Sequence, residues 1–470
     1  MKPNPLTPSE YEQCLDYLQR IADGYRAAPL DPRFNALIQK LFHEGKKRLD
    51  DRRKAEKAQK KQEDRALLAN TALVALQSDL PLQLSAGRSS GELHEPENCY
   101  ICKQEYRQVH FFYHFLCPDC AAYNYAMRDL HADLSGRVAL VTGGRVKIGH
   151  QLVLRLLRDG ARVLVTTRFP HAAAKRFAAE PDYLDFRDRL HLYGLDLRNI
   201  PAVEEFAAQL TGSLACLDIV VHNAAQTIQR PAGFYTELVL QERDPQKYLS
   251  PEARSLVLRA APTTIGVYDS YAMLPAALTQ ATELMSAPLP DLLPLNDLHD
   301  NEERADSRAV NSWLLPLEDV SAREMLEVQL VNSVAPFLLN ARLKPLLMRS
   351  PFARRFIVNV SAMEGQFSRH KTIFHPHTNM AKAALNMMTH TSAAGLAKDG
   401  IFMNSVDTGW VTDENPTPIR LRKQQQEGFF APLDIVDGMA RIYHPIASGI
   451  NLPQTPYFGE FLKDYRPCKW

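Results

Sequence analysis

A short apolar run from Val138 to Val141 breaks off into Thr142, Gly143 and Gly144, and helical spacing begins at Ile148. No other stretch restricts the fold so tightly. The run is rich in β-branched residues and reads as a buried parallel strand. Leu152, Leu156 and Leu157 continue the helical pattern, which stops near Gly160. A helix N-terminus behind a Gly-rich turn presents free backbone N–H groups and the positive end of a helix dipole to a pyrophosphate. A lone Gly-rich turn is weak evidence, but this one lies between a strand and a helix, as the mechanism requires. A second strand follows from Arg162 and ends in Thr167 and Arg168. Folds that prefer NAD end this strand with an acid that accepts from the ribose hydroxyl. Here there is no acid, and Arg168 offers a cation to a 2′-phosphate, so NADP(H) is the expected cofactor.

Further motifs follow in order: Asp196 and Leu197 after a third strand near 189–197, then His222, Asn223, Ala224 and Ala225 after a fourth near 217–221. Val331 and Asn332, the segment 359–362, Lys382 with Ala383, Ala384 and Leu385, and the segment 404–409 complete the set. Together with the Gly-rich loop they resemble the short-chain dehydrogenase/reductase (SDR) family over roughly residues 134 to 445, two thirds of the chain. The resemblance implies an α/β fold, a doubly wound parallel-sheet Rossmann fold. It also implies cofactor contacts from Thr142, Gly143, Gly144, Arg145, Lys147, Ile148 and Gly149, from Thr167 and Arg168, and from Asp196, Leu197, Asn223, Ala224, Lys382, Thr408 and Gly409. Lys147 occupies the slot of the family's second loop Gly. Pteridine reductases are similar there, with a basic residue facing the NADP phosphates. Thr408 replaces the Pro of the family's Pro-Gly loop.

Members of the family transfer hydride with Ser, Tyr and Lys, and an Asn organises water. Asn332 and Lys382 match that Asn and Lys. Four residues before Lys382, where the Tyr belongs, stands Thr378. An aliphatic hydroxyl titrates far above neutrality and cannot replace a phenol as proton shuttle. Ala362 stands where the Ser belongs, and neighbouring Ser361 is expected on the opposite face of its strand. His370, His375 and His377 crowd the segment before Lys382, and histidine titrates where catalysis needs it. His375 lies seven residues before Lys382, a spacing at which enoyl reductases place their Tyr. His375 and His377 are therefore the candidate substitute acids, against the alternative that they are loop residues with no chemical role. Asp407, Tyr443 and Tyr457 are further candidates to reach the site. Two readings follow: an NADP(H)-dependent oxidoreductase with a non-standard active site, or a pseudoenzyme whose nucleotide state partners read.

At 470 residues the chain exceeds the family's usual single domain, so added modules are expected. The expected division is a helical region at 1–90, a four-cysteine zinc module at 95–130, and an SDR-like domain at 134–470 with a large insertion at 227–320. Two helices are expected within 7–42, the first opened by Thr7 and Glu10. Residues 46–65 are densely basic, which fits a solvated helix or a partner face; with no aromatics to stack on bases, nucleic acid is disfavoured. Residues 85–91 read as a linker. Cys99 and Cys102 then pair with Cys117 and Cys120 across fourteen residues, a spacing that supplies four thiolates to a structural Zn²⁺; His110 and His114 are competing ligands the set does not need. Asn223 and Asn332 are more than a hundred positions apart, and the intervening insertion, with Pro- and Leu-rich 287–294 and acidic 297–306, is expected over the carboxyl edge of the sheet as a lid or an interaction surface. A net charge of +1, the lack of a long apolar run and mostly paired cysteines point to a cytoplasmic protein. The long helices either side of the fifth strand imply, by the resemblance, a homodimer seam.

Overall fold

Alternate residues of the central strands belong to opposite cores. In strand β3 (Val138–Thr142), Ala139 and Val141 join one apolar cluster and Leu140 the other. Val163 and Val165 against Leu164 repeat the division in β4 (Arg162–Thr167), as do Ile219 and Val221 against Val220 in β6 (Ile219–His222). A period of two with both phases apolar requires cover on both faces, which is what a doubly wound parallel sheet provides. The first cluster packs under helices Lys147–Arg158 and Ile435–Asn451, and the second under Ile200–Ser213 and Ala335–Met348.

The computed structural model describes residues 6–24, 32–78, 91–230, 232–258, 306 and 308–470. Its main sheet also contains β5 (Leu190–Gly194), β7 (Val257–Leu258), β8 (Arg355–Ser361), β9 (Ile401–Asp407), β10 (Phe461–Lys463) and β11 (Arg466–Cys468). The order is β11-β10-β9-β8-β6-β3-β4-β5-β7, parallel except for the antiparallel β10–β11 pair. Chain order reverses at β3, between β4 and β6, so the crevice for ligands opens at the carboxyl ends of these strands.

The four-cysteine segment folds as an antiparallel pair, β1 (Gly91–Asn98) and β2 (Glu105–Val109), followed by the helix Pro118–Met127. Its own core of Leu93, Tyr106, Val109, Tyr113 and Leu116 also takes in Val411 and Leu433 of the sheet domain. Residues Leu67–Trp470 accordingly form one compact unit. Met1–Ala66 form the other. There, the expected Thr7–Glu10 capping box opens the helix Pro8–Ala22, and the basic run lies on the long helix Pro32–Ala69, in which no residue is buried.

The linker residues before Gly91, the segment 287–294 and the acidic patch short of Asp306 lie outside the described residues. No helix among the described residues is long and apolar enough to cross a membrane.

Candidate functional site

A cavity of about 870 Å³ opens at the carboxyl ends of the parallel strands. Its floor is the Gly-rich turn. Gly143 has φ +71°, and a Cβ there would lie 2.7 Å from the Cα of Ala224. A Cβ on Gly144 would meet Val165 Cγ1 at 2.6 Å, and one on Gly149 would collide with the Gly143 carbonyl. The turn is braced by Asn223, whose Nδ2 donates to Gly143 O at 3.0 Å, and by Thr142, whose Oγ1 accepts from Ala224 N at 3.1 Å. Thr142 and Gly144 thus shape the turn from behind, while Gly143, Arg145, Lys147, Ile148, Gly149, Asn223 and Ala224 line the cavity. Lys147 holds φ +53°, a left-handed conformation that costs a side-chain-bearing residue roughly 1–2 kcal/mol. The backbone has kept the shape that a glycine would take there, with a cation added.

Thr167 and Arg168 line the cavity where β4 ends. The Arg168 guanidinium lies 4.6 Å from the Tyr235 ring centroid, and that ring packs 5.4 Å from Phe169. Arg145 lies over Phe169 at 5.6 Å. Two guanidiniums are therefore set against an aromatic pair at one end of the cavity. Asp196 and Leu197 line the same end. Burial raises the Asp196 pKa, but the Arg198 guanidinium, bonded at 2.6 and 3.0 Å, outweighs it and holds the carboxyl below its usual range.

At the other end, Lys382 comes from the helix Pro376–Lys398 and Thr378 lies one turn before it. Lys382 Nζ donates to Val360 O of β8 at 2.8 Å. Burial pushes its pKa down to about 8, opposed by Glu364 and Asp407. Thr378 is 1% exposed, and its Oγ1 reaches only Thr227 O, at 3.4 Å. Ala362 borders the cavity; Ser361 also does, but its hydroxyl is enclosed with no hydrogen-bond partner. Thr408 and Gly409 line the cavity after β9, with Gly409 N donating to Asp407 Oδ1 at 2.8 Å. Asp407 Oδ2 in turn accepts from Lys463 Nζ at 2.5 Å.

Asn332 acts behind the wall. It sits in a π-helical turn, Leu330–Val334, between helices Ala322–Gln329 and Ala335–Met348. Pro336 has no N–H for the Asn332 carbonyl four residues earlier, so the α-helical ladder is interrupted there. Asn332 Oδ1 accepts from Gln226 N at 2.7 Å and its Nδ2 donates to Gln226 O at 2.9 Å. Glu324 adds an acceptor for Gln229 N at 2.9 Å. The start of the insertion is thereby strapped to this helix, and it delivers Arg230, Phe234 and Tyr235 to the cavity wall.

The structure does not bring either candidate histidine to the cavity. His375 stacks on Trp313 at 3.9 Å with the rings 4° from parallel, its Nδ1 2.9 Å from Trp313 O, and it is the indole that lines the cavity. His377 is buried against Glu324 at 4.0 Å with no hydrogen bond to its ring, and burial lowers its pKa. Tyr443 donates to Asp159 on the far side of the fold, and Tyr457 is likewise absent from the lining; Asp407 alone of the further candidates reaches it. Among the described residues, the tyrosines of the lining are Tyr100 and Tyr235. Sequence reading missed both, together with Trp313 and Lys463. No motif marks them: Tyr100 and Lys463 come from segments outside the matched ranges, and Tyr235 and Trp313 from stretches of those ranges that carry none of the family's motifs.

In the cysteine module the four Sγ atoms of Cys99, Cys102, Cys117 and Cys120 all lie within 4.8 Å of one another, with Cys102 and Cys117 at 3.6 Å. A tetrahedral ion with Zn–S bonds of about 2.3 Å spaces its sulfurs by roughly 3.8 Å, so the donor set fits in number, kind and spacing. His110 and His114 stay outside it: His110 Nδ1 accepts from Phe112 N at 3.1 Å, and His114 Nε2 lies 3.4 Å from Phe430 O.

Comparison with known proteins gives the family. The short chain dehydrogenase model matches residues 137–242, and the model described as enoyl-(acyl carrier protein) reductase matches 309–430. The chain belongs to the SDR family. An uncharacterised protein of Acanthamoeba polyphaga mimivirus is 32% identical over 391 residues, 79% of this SDR chain and 74% of that one. Dehydrogenase/reductase SDR family member 13 of Bos taurus is 36% identical over 98 residues, 20% of this chain and 24% of its own length. Among solved structures, the NADPH-bound carbonyl reductase from chicken fatty liver is similar with a TM-score of 0.42 at 17% identity, covering 72% of this chain and all of that one. A short chain dehydrogenase from Shigella flexneri gives 0.44 at 15%, covering 73% and 98%.

Proposed function

We propose that this SDR-family chain binds NADP(H) in the cavity at the carboxyl edge of its sheet and carries one structural Zn²⁺ on Cys99, Cys102, Cys117 and Cys120. The pairing of Arg168 with Tyr235, beside Arg145 and with no acid at the end of β4, carries the cofactor reading. A 2′-phosphate meets fixed cations there, whereas a free 2′-hydroxyl meets no carboxylate at the strand end. When bound, the cofactor supplies a hydride. The chain's own residues shape the pyrophosphate turn (Gly143, Gly144, Gly149), add positive charge to it (Lys147, Arg145), and set a buried amine, Lys382, at the opposite end.

The proton-transfer apparatus is non-standard. Thr378 holds the family's Tyr position and is buried there, so reduction through a Tyr–Lys pair is closed to the native chain. That observation favours the second reading, a cofactor-binding pseudoenzyme, for ordinary carbonyl substrates.

Titration of the full chain with NADPH and NADH, by fluorescence or calorimetry, tests the cofactor reading. NADPH should bind more tightly. Arg168→Ala should lose about 1–3 kcal/mol of NADPH binding and leave NADH nearly unchanged. Equal affinity for the two cofactors, or none for either, refutes it.

A further inference from the structure

We propose that the four-cysteine centre and the dinucleotide cavity are coupled through Tyr100, so that metal occupancy sets cofactor affinity. This rests on the reading of both sites given above. In sequence Tyr100 lies between two of the thiols, Cys99 and Cys102, yet it also lines the cavity. Its backbone is fixed from the two knuckles. Tyr100 N–H donates to Phe115 O, two residues before Cys117, at 2.8 Å, and Cys99 N–H donates to Gln104 O at 2.9 Å. The phenol oxygen accepts the Trp410 N–H at 3.0 Å. It also lies 3.7 Å from the Cβ position of Gly409, whose φ is +77°.

Thr408, Gly409, Trp410 and Val411 all line the cavity, so the acceptor offered by the thiol knuckle positions a stretch of its wall. The apolar contacts run the same way. Val411 and Leu433 are buried in one cluster with Cys99 and Cys117, and Ile148 of the phosphate turn packs against that cluster. Two polar ties hold the module and the turn after its helix to the segment that follows, Tyr113 to Asp437 at 2.5 Å and Arg128 to Asp434 at 2.8 Å. Gln77 Nε2, from the preceding helix Ala72–Gln77, donates to Ala431 O at 3.1 Å.

A small module of this kind takes its order from its metal. With the ion bound, Tyr100 and the surface beneath Val411 and Ile148 are fixed, and the cavity wall is preorganised. Without it the wall must be ordered at the expense of cofactor binding. Linkage makes the effect mutual: a cofactor that binds the ordered wall must tighten the metal by the same factor.

The test uses the full-length protein and two probes, NADPH and Zn²⁺. NADPH is titrated against zinc-loaded wild type, wild type stripped by a chelator under reducing conditions, and loaded Tyr100→Phe and Tyr100→Ala. Elemental analysis and circular dichroism accompany each form. Stripping should weaken NADPH binding by about tenfold or more, the span of a typical allosteric coupling. Tyr100→Phe should keep its zinc and weaken NADPH about two- to tenfold, the range of one hydrogen bond. Tyr100→Ala should lose most of its response to metal. In equilibrium competition against a chromophoric chelator, saturating NADPH should raise zinc affinity in wild type by the factor found in the first arm. Equal NADPH affinity in folded loaded and stripped protein overturns the coupling, as does zinc competition that is indifferent to NADPH. If stripping unfolds the sheet domain, the competition arm alone decides. Failure of loaded wild type to bind NADPH at all overturns the cofactor assignment, and the coupling with it.

Discussion

Lys382 sits in the native state as an amine that burial has pushed down to about 8. When the native pKa is depressed, the folded state releases its proton first as pH rises. Between about 8 and the unfolded value near 10.4 the unfolded chain binds more protons, so this group's contribution to stability rises with pH across that window, and its penalty is present in full below it. Denaturant unfolding of wild type and Lys382→Met from pH 7 to 10.5 should show wild type gaining on the variant over that interval; a constant difference refutes the assignment. Thr378 and Ala362 give a second prediction at this scale. The double variant Thr378→Tyr with Ala362→Ser places a phenol one helical turn from Lys382, facing a cavity with room for it. NADPH oxidation across a carbonyl panel should rise above wild type by about 10²–10⁴, the contribution of one general acid. No gain, with NADPH binding intact, refutes the reading that the Tyr and Ser are all the pocket lacks. At this scale the motif residues were legible because each is tied to local backbone geometry: Gly143 with φ +71°, and Lys147 with φ +53° in a slot made for glycine. The histidines were not, because whether a side chain faces a cavity depends on what stacks against it, and Trp313 lies far from His375 in the chain.

Among the elements, the thiol module is the one whose stability rests on chemistry more than on area. Its apolar cluster is small and partly borrowed from Val411 and Leu433, so the proposed zinc must supply much of its order. Protein purified without added metal should contain about one zinc per chain. Chelation should abolish the near-ultraviolet signal of Tyr106 and Tyr113 and leave most helical ellipticity in place; metal-free protein with these aromatics still ordered refutes the site. The paired Cys-x-x-Cys spacing made this element legible. The π-turn over Leu330–Val334 was not, although Pro336 was its visible signal; a proline that deletes one helical bond does not say whether the helix kinks, breaks or widens. The short strands β7 and β11 at the two edges also escaped notice, since two or three residues carry no readable period.

On the scale of the molecule, cofactor binding should appear as stability. A ligand at a hundred times its Kd adds about 2.7 kcal/mol to the native state. In a domain of this size that corresponds to a rise in Tm of several degrees, and at matched concentration NADPH should give a larger rise than NADH in a thermal-shift measurement. The two-sided sheet follows from the apolar phasing of β3, β4, β6 and β8, and the ordered motifs gave the family's architecture, whereas β10 lies beyond the stretch that carries the resemblance. The aromatic wall built from Phe234, Tyr235 and Trp313 could not be read ahead of the coordinates, because these residues belong to no motif and meet at the cavity only through the tertiary fold.

The ion pair between Lys463 and Asp407, with Tyr100 on the same cavity wall, has a consequence for synthesis. A ribosome makes the thiol knuckle early and the β10 strand near the end of this unit. The knuckle is therefore complete for the proposed zinc while the chain is nascent, but the face that carries Tyr100 and Ile101 finds its partners only after Val411 and Leu433 emerge, and Lys463 joins the cavity wall last. For most of translation that apolar face is open to water. It is the surface on which a chaperone, or a misassembled neighbour, would act first.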